Sequence, residues 1–155
     1  MNKKINPAFQ KGFSLIELMV VVSIIVILAR IAIPTYTKSI ARSNRVAAIT
    51  FLLNLSNKQA QYMLDKHQYF DTTVQGTLYP TPSMVSANYT ITVTPDNTAA
   101  PPTYTAIATP TSSQISRDNT CGALQIDQFG VNWIKGSGTS FVSGTTIVRN
   151  CWSGK

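Results

Sequence analysis

The sequence predicts an α+β protein in which a long N-terminal α-helix, apolar over its first half, packs on a small antiparallel β-sheet. Three observations point to that class. Residues Gly12 to Ile33 form an almost unbroken apolar run. A helical recurrence of apolar residues continues past Pro34 to about Lys66. Beyond it, short stretches alternate at period two between Pro-, Gly- and Asn-rich breaks. At 155 residues the chain holds one modest domain. With the apolar helix set aside, roughly 120 residues remain, enough for a small core with little stability to spare.

The first element is a short basic leader, residues 1–12, carrying Lys3, Lys4 and Lys11. It is followed by a transmembrane or assembly helix over 13–34. The 21 residues from Phe13 to Ile33 would span about 31 Å as a helix, which matches a hydrocarbon core of about 30 Å. An ordinary cleaved secretory signal fits less well. The run is too long for a usual signal core, and no small-x-small cleavage site follows it. Lys38, Arg42 and Arg45 flank the far end as densely as the leader lysines flank the near end, so loop charge does not set the orientation. Within the run stands one carboxylate, Glu17, an expensive group in lipid that must find a partner. Arg30 sits near the other end, either snorkelling to the interface or forming a second ion pair between subunits.

A soluble domain is expected over 35–155, opening with a helix over 35–66. Ala48, Leu52, Leu55 and Tyr62 recur at helical steps, with Ile49, Phe51 and Leu53 widening the stripe. A sheet spanning about 84–152 should cover that face. Tyr89–Thr94 alternates cleanly, and a loop from Pro95 to Pro102 leads to a return strand at Tyr104–Thr109. Leu124–Asp127 and Val131–Trp133 form a further pair around the turn Gln128–Gly130, and Thr145–Trp152 reads as a last strand. Neither an internal repeat nor a second domain is expected.

Composition agrees with this division. At 44% hydrophobic and 12% charged residues, the chain is globular rather than disordered. Its abundance of Thr and Ser suits strands and an extracellular surface. Net charge is +7; after Gly12 ten basic and six acidic side chains remain, a mild +4 compatible with anionic surfaces. The two cysteines, Cys121 and Cys151, cluster near the C-terminus. In an exported domain they read as one disulfide, the alternative being two buried thiols. Their placement argues that the distal domain faces an oxidising compartment.

The segment GFSLIELMVVVSIIVILARIAIP, Gly12 to Pro34, resembles the class III signal and transmembrane helix of type IV prepilins and the related type II secretion pseudopilins. The resemblance implies cleavage by a prepilin peptidase between Gly12 and Phe13, with N-methylation of Phe13 by the same machinery. Glu17, fifth from the new terminus, matches the family's acidic position. Its expected role is assembly: the amine of Phe13 and the carboxylate of Glu17 on a neighbouring subunit offset each other's desolvation and set the axial register between helices. Pro34 matches the helix-distorting proline of the family and should kink or locally melt the helix. The expected architecture is then the type IV pilin fold, with Cys121–Cys151 resembling its disulfide-bounded loop. Tyr69-Phe70, Cys121-Gly122 and Cys151-Trp152 look most like the minor pilins that prime assembly.

The implied function is a minor pilin of a Gram-negative type IV pilus, acting in assembly and twitching motility and required for natural transformation. A competence pilin that binds DNA directly, a major pilin and a type II secretion pseudopilin are the alternatives. Implied partners are other pilin subunits, the prepilin peptidase and methylase, the inner-membrane assembly platform and membrane lipid before assembly. Before assembly the chain should lie in the inner membrane with a periplasmic C-terminal domain, then in the fibre at the cell surface.

No hydrolase or transferase constellation occurs, so no enzyme and no cofactor are expected. The lone His67 reads as a solvated or capping residue near a helix end. With two cysteines and one histidine, no zinc set is complete, and five scattered aspartates do not form a calcium loop; no metal site is expected. Arg117, Lys135, Arg149 and Lys155, with Trp133 and Trp152, are candidate DNA contacts through phosphate charge and base stacking. The competing reading is a solvated surface with the tryptophans packed in or beside the core.

Overall fold

The computed structural model describes residues 12–155, so the leader lysines Lys3, Lys4 and Lys11 lie outside the described residues. Between Tyr36 and Thr37 the chain divides into two units. The first contains the apolar part of α1, the helix Leu15–Lys66, which opens with Glu17 in its first turn. Every residue from Phe13 to Leu28 is exposed. The segment is long and apolar enough to cross a membrane, and none of the residues in its apolar window is buried within the chain. Two of its hydroxyls bond back to the helix: Ser23 Oγ donates to the Met19 carbonyl at 2.7 Å and Thr35 Oγ1 to that of Ile31 at 3.2 Å. The helix runs on through Pro34. The expected local melting therefore does not occur. Proline removes one donor, that to the Arg30 carbonyl, and the flanking turns carry the helix across the gap.

In the second unit, α1 buries Ala41, Arg45, Ala48, Leu52, Leu55 and Gln59, with Ile49 and Phe51 beside them. Steps of four and three residues place this stripe along one face. Leu53, which the sequence assigned to it, is instead exposed. The helix ends at Lys66. His67 follows with φ 56° and donates its amide to the Met63 carbonyl at 3.0 Å, acting as the left-handed closing residue that is more often Gly or Asn.

The stripe meets a five-stranded antiparallel meander in the order β1-β2-β3-β4-β5. These strands are Tyr89–Asp96, Thr103–Pro110, Leu124–Asp127, Asn132–Ile134 and Val142–Ser143. Alternation sends Tyr89, Ile91 and Val93 of β1 inward and leaves Thr90, Thr92 and Thr94 in solvent. Register aligns Ile91 with Ala108, Val93 with Ala106, and then Ala108 with Leu124 and Leu124 with Ile134. One apolar face results, and it shares a single core with Ala48, Leu52 and Leu55 of the helix.

Four short helices were not read correctly from the sequence. α2, Thr72–Leu78, is capped by Asp71, whose carboxylate accepts from the Val74 amide at 2.9 Å. α3, Ser83–Ser86, occupies the expected start of the sheet, which begins instead at Tyr89. α4 covers Ser112–Ile115. The stretch Thr145–Trp152, expected as a strand, is α5, Thr146–Trp152. Its Thr145 hydroxyl accepts from the Val148 amide at 3.3 Å, and Val148 and Cys151 are buried at a three-residue step. A capping threonine and a trailing Gly154 at φ 74° outweighed the β-branched composition.

Candidate functional site

Two places carry candidate function, one in each unit. In the first, Gly12, Phe13 and Glu17 stand at the opening of α1. The Phe13 side chain is 85% exposed. Glu17 lies where unpaired helix N–H groups favour an anion. Arg30 is exposed at the far end of the run. The contiguous uncovered apolar surface between them needs either lipid or other helices around it.

In the second unit, a groove of about 400 Å³ opens between the early part of the helix and the C-terminal region. Lys38, Arg42, Arg117 and Lys155 line it, all exposed, above the Cys121–Cys151 bond. That disulfide is formed across 30 residues, as expected from the pairing of the only two cysteines. α5 delivers Cys151. Gly122 and Gly136 position Cys121 from the other side: a Cβ on Gly122 would lie 2.8 Å from the Gly136 carbonyl oxygen, and Gly122 itself adopts φ 57°.

Beneath the groove lies Arg45, 3% exposed. Its Nη1 donates to both oxygens of Asp118, at 2.5 and 2.6 Å. Nε donates to the Cys151 carbonyl at 3.2 Å and Nη2 to the main-chain oxygen of Lys155 at 2.6 Å. The guanidinium thus ties helix, α4–β3 connection and C-terminus together with its donors in fixed directions. Burial pushes the Asp118 carboxyl above the ordinary carboxylate range, and Arg45 and Arg42 pull it back only in part. Sequence reasoning read Arg45 only as a flanking charge. Its place in the stripe that also holds Ala41, Ala48 and Leu52 was the available signal.

The same stripe holds Gln59, fully buried, which pairs with Phe70 as one strand pairs with another. Its Nε2 donates to the Phe70 carbonyl at 2.8 Å, and its Oε1 accepts from the Phe70 amide at 3.0 Å. Gln114 Nε2 donates to the Ala41 carbonyl at 2.8 Å and to the Tyr89 hydroxyl at 3.2 Å. These satisfied polar groups place the chain after α1 and the start of the sheet without leaving a buried donor unpaired.

Of the four cations singled out as DNA contacts, two line the groove. Arg117 and Lys155 share the groove, joined by Lys38 and Arg42, which that reading had not included. Lys135 lies outside it, its Nζ 6.0 Å from the centre of the Phe141 ring. Arg149 also lies outside, with Nη2 donating to Thr146 Oγ1 at 3.4 Å. Both tryptophans are half-buried. The Trp133 indole donates to Asp127 Oδ2 at 3.4 Å, and that of Trp152 to the Trp133 carbonyl at 3.2 Å. Trp152 packs against the core. Among the described residues, no group of three or more His, Cys, Asp or Glu side chains is placed to hold a metal.

Comparison with known proteins bears on both places. A family model described as "Prokaryotic N-terminal methylation motif" matches residues 8–32. A second, described as "Type IV minor pilin ComP, DNA uptake sequence receptor", matches residues 34–125, more than half of the chain. The chain belongs to this family of type IV pilins. Among individual relatives, the type IV major pilin protein PilA of Myxococcus xanthus is 47% identical over 68 residues, 44% of this pilin and 30% of that protein. The type II secretion system core protein G of Escherichia coli is 36% identical over 84 residues, 52% and 57% of the two chains. The type IV major fimbrial protein FimA of Dichelobacter nodosus is 47% identical over 58 residues, 37% and 36%. The match spans between about a third and just over half of these curated relatives. The N-terminal methylation motif and the uncovered apolar helix together point to membrane anchoring followed by pilus assembly.

Proposed function

We propose that this chain is a minor pilin of a Gram-negative type IV pilus that serves natural transformation. The match of residues 34–125 to a family described by its DNA-uptake role carries this reading. In it, a peptidase cuts between Gly12 and Phe13, Phe13 is methylated, and the subunit waits in the inner membrane with residues 35–155 in the periplasm. Glu17 then pairs with the terminal amine of a neighbouring subunit as helices leave lipid for protein. Glu17→Val should leave processing intact and abolish incorporation into fibres. Normal incorporation of the variant, read by blotting sheared fibres, would refute the register role.

Direct DNA capture is the finer part of the proposal, with Arg117, Lys135, Arg149 and Lys155 as the candidate phosphate contacts. Full chain in detergent should shift duplex DNA at low salt. If all four cations contact phosphates, affinity should fall with a log–log salt slope of about −4. Absence of binding at low salt would sink direct capture. The alternative is a subunit needed for assembly and twitching motility without touching DNA, a reading supported by relatives that are themselves major pilins. Deletion separates the two: transformation lost with normal fibres supports capture, whereas loss of both supports assembly.

A further inference from the structure

We propose that the Lys38–Arg42–Arg117–Lys155 groove holds the phosphate-bearing headgroup of an anionic phospholipid while the subunit is stored in the bilayer. The inference rests on reading residues 13–33 as the membrane span. Chemistry supplies the first argument. Four exposed cations line one concavity of about 400 Å³, within the size range of small-molecule sites. The one acidic side chain in the lining, Asp118, is already engaged by Arg45, and so is the main-chain oxygen of Lys155. An entering phosphate therefore meets uncompensated positive charge. Asn119, Thr120 and Asn150 also line the groove and offer neutral hydrogen-bonding groups for the ester oxygens or a glycerol hydroxyl.

Connectivity supplies the second argument. Lys38 follows Ile33 by five residues, so at full extension its Cα lies no more than about 18 Å from the end of the span, whatever angle the two units adopt. The headgroup layer begins where the span ends, and a lysine side chain adds several ångströms of reach toward it. Among the described residues after Ile33, Lys38 and Arg42 are the first two basic side chains. A headgroup bound there holds the folded unit at the leaflet. It must leave when the helix is withdrawn, and exposed charges suit reversible binding.

The full chain reconstituted in phosphatidylcholine vesicles should co-float with them, and so should Lys38→Gln/Arg42→Gln. Failure of the wild type to co-float would overturn the span reading itself and the proposal with it. In detergent micelles, native mass spectrometry should show phosphatidylglycerol retained in preference to phosphatidylcholine. Lys38→Gln/Arg42→Gln should weaken that retention roughly 30-fold, about fivefold for each cation near an anionic surface. Lys135→Gln/Arg149→Gln, with the same loss of charge outside the groove, should change it less than about twofold. Co-flotation without lipid preference overturns the groove alone, as does equal weakening by both double variants. Displacement of the lipid by inorganic phosphate at comparable concentration would assign the groove to free phosphate and overturn the lipid commitment. Loss of DNA binding in Lys38→Gln/Arg42→Gln with lipid preference intact would assign it to nucleic acid instead.

Discussion

Replacing Arg45 by methionine should destabilise the folded unit by about 3–5 kcal/mol, the usual cost of stranding one partner of a buried ion pair. Arg45 is 3% exposed and makes two contacts to Asp118 and one each to the main-chain oxygens of Cys151 and Lys155. Methionine fills a similar volume but leaves the Asp118 carboxylate without its countercharge and the main-chain oxygens of Cys151 and Lys155 without this donor. For a unit of roughly 120 residues, that loss corresponds to a drop of about 10–20 °C in Tm. Urea titration of the full chain in detergent, followed by the fluorescence of Trp133 and Trp152, measures it directly. The deficit should also depend on pH. Burial already raises the Asp118 carboxyl, and without Arg45 it rises further. A folded-state pKa above the unfolded value means that the native variant binds the extra proton, so its stability is greatest in acid and is lost as pH rises through that pKa. The gap to wild type should therefore narrow toward acid pH. A loss below about 1 kcal/mol at neutral pH, or a gap independent of pH, would refute the role given to this pair. Arg45→Met/Asp118→Leu removes both charges and should recover most of the stability.

Two further outcomes test the core and its clasp. Reduction of the Cys121–Cys151 bond, or its replacement by serines, should cost about 3–4 kcal/mol for a loop of 30 residues; an unchanged Tm under reductant would show that the bridge contributes nothing. Among six tyrosines, burial pushes the Tyr89 phenol up to about 12, the Gln114 hydrogen bond opposing. Burial raises the Tyr104 phenol as well, so spectrophotometric titration should show late ionisation from which Tyr89→Phe removes one phenol's worth. Since the unfolded phenol ionises near 10, Tyr89 costs the native state about 1.4 kcal/mol per pH unit between 10 and 12.

Much of the fold was legible because it is written in consecutive residues. The apolar run, the end of α1 at Lys66, and strands β1 to β4 follow from periods that neighbouring side chains set among themselves. Elements of four to seven residues were not, since one or two turns carry too few apolar positions to display a period. Asp71 and Thr145 did carry a local signal, as capping side chains at the starts of α2 and α5. The exposed Leu53 shows the opposite limit: hydrophobicity near a stripe does not decide which side of it is covered.

The two functional places divide along the same line. Gly12, Phe13 and Glu17 stand close together in the chain, with Glu17 in the first turn of α1, so that candidate is a matter of chain order alone. The groove was not. Arg45 meets Asp118 across 73 residues and the main-chain oxygen of Lys155 across 110. Lys38 and Arg42 meet Arg117 and Lys155 only because the core seats helix against sheet and the disulfide returns the C-terminus to that seat. Charge and type belong to single residues, but their convergence belongs to long-range packing. A one-dimensional pattern therefore named two of the four groove cations and joined them to two that lie elsewhere.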